Sequence, residues 1–280
     1  VSGVRQINPI PQLTPNAGWK EVPIKECGEP LVEIKNNEYF IIAPQYYQQG
    51  IPGAIDKMYV REGVYKRLVK AAQLLQKIKP GYKIVILDAW RPPKVQESLF
   101  NKYYTELWER NVKSGAGLTP AEIYEKTQQF VSVPSLDKKK PSPHFTGGAV
   151  DITYADERGN WSTMGTGFDD FTEKALNDYL ERKQTKSKLN ETEKEALENR
   201  RILYAVMKEA GFVSYREEWW HYDFGNQFAA EVARANGINM VAKYGLVKDL
   251  SNVKDIKEES VKTSRTDEPK RQKFFSELSR

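Results

Sequence analysis

A chain of 280 residues with 39% hydrophobic and 11% aromatic residues can bury a substantial core, as one domain with insertions or a core domain with extensions. Its net charge of +5 comes from 43 basic and 38 acidic residues interleaved along the sequence, a solubility feature that makes no case for nucleic acid as a partner. A single cysteine, Cys27, excludes an internal disulfide and a thiolate metal site, so any metal must be held by nitrogen and oxygen.

No run approaches the roughly 18 apolar residues of a membrane span, and the opening residues lack a secretory signal pattern. The expectation is a cytoplasmic protein, with export left open by the start at Val1; oligomeric state is not legible. Residues 1–23 carry Pro9, Pro11, Pro15 and Pro23 and read as an extended surface arm. Residues 31–34 and 39–42 read as two short strands joined by a turn at Asn36-Asn37. Over 60–79, Val64, Leu68, Ala71, Ala72, Leu75 and Ile78 recur at helical spacing until Pro80-Gly81 stops the helix. A buried strand over 83–87 then delivers Asp88-Ala89-Trp90-Arg91-Pro92-Pro93, where two prolines forbid further pairing.

Helices are predicted over 95–112 and 120–130, the second capped by Thr119 with Pro120 in its first turn. Residues 149–154 alternate as a strand does and end in the turn 156–160. Helical pattern resumes over 168–182 and again from Asn190, which with Glu193 forms a capping box, to Ala210; Gly211 closes it. A strand over 212–215 approaches Glu217-Glu218-Trp219-Trp220-His221. Residues 251–280 hold 8 basic and 6 acidic residues and little apolar content, which reads as an appendage. The whole is an α+β pattern: a mostly antiparallel sheet packed by helices, with an arm over 1–23, a central domain over 24–240 and a charged extension over 241–280.

The chain has two histidines, and each sits in a polar string with a carboxylate at a short offset: Ser142-Pro143-His144-Phe145-Thr146-Gly147-Gly148-Ala149-Val150-Asp151, and Glu218-Trp219-Trp220-His221. Either alone reads equally well as a satisfied loop or strand residue; together they point to one shared metal. On one continuous strand His144 and Asp151 would stand about 23 Å apart, so Gly147-Gly148 must turn the chain back on itself. Two imidazoles and a carboxylate make the ligand set of a catalytic zinc site with one open position. Glu218 is the candidate base for a zinc-bound water, provided the chain bulges or turns at Trp219-Trp220, and Glu217 is its weaker rival. Arg91, fixed at a strand end, can oppose the oxyanion of a tetrahedral intermediate, or simply pair with Asp88.

These motifs carry a family resemblance. Ser142 to Asp151 with Glu218 to His221 resembles the zinc D-alanyl-D-alanine peptidases; Asp88 to Pro92, Met164 to Asp169 and Asn199-Arg200-Arg201 narrow it to the dipeptidase branch, the VanX type, in the same chain order. The resemblance implies the hedgehog/D-Ala-D-Ala-peptidase-like fold and a zinc dipeptidase that splits D-alanyl-D-alanine into two D-alanines. It implies one Zn2+ on His144, Asp151 and His221, Glu218 as base, Arg91 at the transition state, and Asp169 on the substrate's free amino group. An anionic anchor there rejects longer peptides that lack a free amine. Ser142 is expected to hydrogen-bond substrate or to form the turn, and Asp88 to accept from a ligand histidine. The alternatives are a D,D-carboxypeptidase trimming peptidoglycan stem peptides, which needs an open cleft, and a non-catalytic binder of cell-wall fragments.

Overall fold

The computed structural model describes residues 7–13, 18–131, 133, 135–170 and 172–255; parts of the expected arm and most of the charged tail lie outside them. Seven strands occur in chain order among the described residues: β1 (Leu31–Ile34), β2 (Phe40–Ile42), β3 (Met58–Arg61), β4 (Lys83–Asp88), β5 (Ala149–Ala155), β6 (Val213–Ser214) and β7 (His221–Asp223). A five-stranded sheet runs β2-β4-β5-β7-β6, antiparallel except for the parallel β2–β4 edge, and β1 pairs with β3 in a separate antiparallel ribbon. Helices α1 (Gln45–Gln48), α2 (Glu62–Ile78), α3 (Pro93–Ser114), α4 (Pro120–Phe130), α5 (Tyr179–Gln184), α6 (Glu191–Glu209) and α7 (Gln227–Ala235) complete the α+β architecture.

Residue alternation sorts the sheet into two faces. Ile84 and Ile86 of β4, with Val150, Ile152 and Tyr154 of β5, join the main core against Val64, Leu68 and Leu75 of α2 and Leu203, Val206 and Met207 of α6. Each such side chain, fully buried, contributes about 1.5–3 kcal/mol. Asp151 and Thr153 take the opposite face by the period-two rule. On that side β4 turns Val85 and Leu87 toward Ala43, Ile41 and Phe168.

Both predicted caps form: Glu122 N donates to Thr119 Oγ1 and Glu193 N to Asn190 Oδ1, each with its reciprocal glutamate contact. Three local expectations fail. The turn at Asn36-Asn37 exists, with Asn37 Oδ1 accepting from Tyr39 N and Phe40 N, but its arms diverge: β1 pairs with β3, and β2 lies parallel beside β4. Val60, expected in a helix, belongs to β3, because pairing with Val32 holds the chain extended until Glu62. The helix expected over 168–182 is broken into a turn, a 3-10 turn (Glu173–Ala175) and the short α5. Asp169 has φ 58, which no right-handed helix accommodates, and the buried Arg200 takes the carbonyls of Met164, Lys174 and Leu176 instead.

Of the segment after residue 240, the described part lies on this core: Ala242 and Tyr244 are fully buried, and Val253 bridges Leu31.

Candidate metal centre and active site

The register of three strands builds the site. Asp151 of β5 lies opposite His221 of β7 on one side and Asp88 of β4 on the other, so the three stand in one row across the sheet. Alternation along β4 would put Asp88 on the same face as Ile86; the irregularity between Ile86 and Asp88 turns it to the face of Asp151. His144 joins from a 3-10 turn (Pro143–Thr146) that ends at Gly147, whose φ of 67 supplies the expected reversal into β5. A Cβ on Gly147 would stand 2.6 Å from Leu31 Cδ2, so the turn has no room for a side chain.

Asp151 Oδ1 lies 3.0 Å from His221 Nδ1, Asp151 Oδ2 lies 3.4 Å from His144 Nε2, and the two nitrogens are 3.2 Å apart. The other nitrogen of each ring is engaged. His144 Nδ1 donates to the Ala89 carbonyl at 2.8 Å, and His221 Nε2 donates to Asp223 Oδ2 at 3.0 Å, whose second oxygen accepts from Asn226. With the outer nitrogens so engaged, His144 Nε2 and His221 Nδ1 both turn inward toward Asp151, where a cation that displaced any proton between them would find nitrogen lone pairs beside a carboxylate. Three electron-pair donors within 4.8 Å of one another can hold a cation among them, and the all-buried nitrogen and oxygen set fits Zn2+. Burial opposes charge on His221, but Asp223 and Asp151 outweigh it and push its pKa well above the usual imidazole range. Burial likewise opposes ionisation of Asp151, yet both histidines hold it far below the usual carboxylate range.

Glu218 reaches the site through the expected turn: His221 N donates to Glu218 O at 3.3 Å, and Glu218 Oε2 stands 3.7 Å from His221 Nδ1. Burial pushes its carboxyl up to about 7, with repulsion from Asp151 opposed by His221. Glu217 instead pairs with Arg216 at 2.8 Å. Arg91 is buried at the wall, donating from Nε to Asp88 at 2.8 Å, with Nη1 on Gln96 and Nη2 near Tyr46 Oη and 3.8 Å from Asp151. Asp88 therefore binds Arg91; it lies 3.4 Å from His144 Nδ1, behind the nearer Ala89 carbonyl.

Asp169 faces the same cavity from the left-handed region, a conformation that aspartate tolerates better than most residues, with Tyr46 Oη 3.3 Å from its carboxylate. Burial, then Asp151 and Glu218, push its pKa up to about 8. The loop that carries it is pinned by Arg200, by Asn199 Nδ2 on Thr163 O, and by Trp219 Nε1 on Thr166 Oγ1. Ser142 is buried at the mouth of the His144 turn; its side chain does not cap that turn and lines the cavity. The cavity, of about 250 Å³, gathers Arg91, His144, Asp151, Asp169, Glu218 and His221. Tyr46, Gln96 and Asp223 were missed by sequence reasoning, and only Asp223, two residues beyond His221 on the same strand face, left a readable signal.

Residues 45–237 match the peptidase family described as D-Ala-D-Ala dipeptidase. A D-alanyl-D-alanine dipeptidase of Synechocystis sp. is 34% identical over 223 residues, 78% of this chain and 90% of that one. One from Escherichia coli is 31% identical over 143 residues, covering 51% of this chain and 55% of its own. Among solved structures, a zinc-bound mutant of the vancomycin-resistance D,D-pentapeptidase VanY aligns at 17% identity over 65% of this chain and 81% of that one, with a TM-score of 0.34, too slight a likeness to argue from. Among the described residues no helix is long and apolar enough to cross a membrane. By the family match and the extent of its likeness to the Synechocystis protein, the chain belongs to the D-Ala-D-Ala dipeptidase family of peptidases.

Proposed function

We propose that this chain is a zinc-dependent dipeptidase that hydrolyses free D-alanyl-D-alanine to two D-alanines. The observation that carries the reading is the convergence of His144, Asp151 and His221 beside Glu218, Arg91 and Asp169 in one small cavity. Zinc, when held by the three ligands, supplies Lewis acidity toward water and the scissile carbonyl.

The remaining duties fall to the chain itself. Asp169 binds the substrate ammonium, which orients the peptide bond and excludes N-acylated peptides. Glu218, with a carboxyl near 7, takes a proton from the attacking water as its oxygen bonds to the carbonyl carbon. Arg91, held rigid by Asp88 and Gln96, stabilises the developing oxyanion. Glu218 then returns the proton to the leaving amine as the C–N bond breaks. Ser142 offers its hydroxyl to the bound dipeptide. Asp88 fixes the Arg91 fork, and Asp223 fixes His221.

Turnover of free D-Ala-D-Ala against its N-acetyl analogue tests this. The free dipeptide is expected to be cleaved at least a hundredfold better in kcat/KM; comparable cleavage of both would identify a D,D-carboxypeptidase instead.

A further inference from the structure

The His144 turn is held from behind by Arg61, which in turn is gripped by residues outside the matched span 45–237. Arg61, at the end of β3 and only 4% exposed, donates from Nε to Thr146 O at 2.8 Å, and its backbone N donates to Gly147 O at 2.9 Å. The rest of its guanidinium faces away from the turn: Nη1 reaches Glu29 O at 2.6 Å and Glu26 Oε1 at 3.1 Å, and Nη2 reaches Glu26 Oε2 at 3.0 Å and Gly245 O at 3.2 Å. All five guanidinium donor positions are thus used, a saturation that only a planar fork achieves.

The segment after residue 240 completes the arrangement. Val247 N donates to Phe145 O at 2.8 Å, so the carbonyl next to His144 is held too. Val247 O accepts from Trp90 Nε1, one residue from the Ala89 carbonyl that sets the His144 tautomer. Gly245 N donates to Glu26 Oε2 at 2.6 Å, and Lys243 and Tyr244 clasp Glu29 at 2.8 Å and 2.6 Å. Residues 26–29 and 243–247 are therefore stitched to each other across Arg61; Val247 bears directly on Phe145, and residues 26–29 bear on Thr146 and Gly147 through Arg61.

We infer that Arg61 is a positioning residue for the metal ligand His144, and that Glu26 together with residues 243–247 forms a clamp without which the 143–147 turn cannot hold His144 against Asp151. Neither segment touches the cavity, so the clamp acts through the turn. It rests on the zinc reading above, because what it preorganises is a ligand set. A ligand held within a fraction of an ångström binds without an ordering cost, and loss of such outer support weakens metal binding about 10- to 100-fold.

The test is competitive zinc titration of the full chain against a chromogenic chelator, with steady-state kinetics at saturating zinc. Arg61→Gln is expected to raise the zinc Kd by 10-fold or more. Arg61→Lys, which keeps the charge and loses the fork, is expected to fall between it and wild type, and Glu26→Gln to raise Kd several-fold. KM for the dipeptide at saturating zinc should stay within twofold, since the amine anchor is untouched. A role in stability alone would lower the folded fraction and leave the zinc Kd of the folded protein unchanged. Should Arg61→Gln not fold, Arg61→Lys and Glu26→Gln decide, and Kd values within twofold of wild type overturn the clamp. Wild-type protein that binds no zinc would overturn the zinc reading and the clamp with it.

Discussion

His144 Nε2 and His221 Nδ1 face each other across 3.2 Å, each with its far nitrogen donating to an acceptor that cannot donate back. That relationship suits the pair to the proposed ligand set: the outward bonds orient both rings so that their inner nitrogens converge on one point beside Asp151. Asp223 is the group that orients His221. Asp223→Ala should weaken zinc binding about 10- to 100-fold, measured by chelator competition, while KM at saturating zinc changes little.

Glu218→Gln keeps the shape of the side chain and removes the proposed base. Zinc content of the purified protein should stay at the wild-type level while kcat falls about 10²–10⁴-fold. Retention of full turnover by this variant would remove Glu218 from the mechanism.

Arg91→Lys preserves charge but cannot hold Asp88 and Gln96 with a planar fork while facing the cavity. A fall of about 10²–10³-fold in kcat, with a smaller change in KM, is expected from loss of one oxyanion donor. Burial opposes the Arg91 charge, but Asp88, Tyr46 and Asp151 outweigh it, so the lost fork also leaves buried acids short of a partner. The melting temperature should drop as well.

As the proposed amine anchor Asp169 must ionise to receive an ammonium, and burial pushes its carboxyl up to about 8 in the free protein. Below that value substrate binding expels a proton; above about 8 the substrate amine loses its own. kcat/KM should therefore rise with pH to a maximum near 8 and fall beyond it. Asp169→Asn should abolish that ascending limb and raise KM for the free dipeptide more than tenfold. The stability sign follows from a folded pKa above the unfolded one: the group favours the folded state at low pH, and that contribution is lost as pH rises through about 8. Metal-free Asp169→Asn should therefore melt higher than metal-free wild type at pH 9 and match it more closely at pH 5.

Much of the site was legible because its spacing is local. Gly147 between His144 and Asp151, and the turn between Glu218 and His221, are short-range requirements that residue type and offset reveal. The caps at Thr119 and Asn190 were readable for the same reason. What failed depended on distant partners. Residues 31–42 carry the signals of a hairpin, yet Val32 pairs with Val60 and Ile41 with Val85, choices that no local window contains. The break at Asp169 is imposed by Arg200 from another helix. Tyr46 and Gln96 are aimed at Arg91 by tertiary packing alone, and the polar segment after residue 240 gave no sign that Tyr244 is buried.

The central claim is that one zinc on His144, Asp151 and His221 drives hydrolysis of the free dipeptide. Metal content and D-Ala-D-Ala turnover measured on the same preparations of wild type and His221→Ala test it most directly. The account predicts one zinc per chain and turnover that a chelator abolishes and added zinc restores in wild type, with both lost in the variant. Undiminished turnover in metal-free wild type, or in His221→Ala, would contradict it.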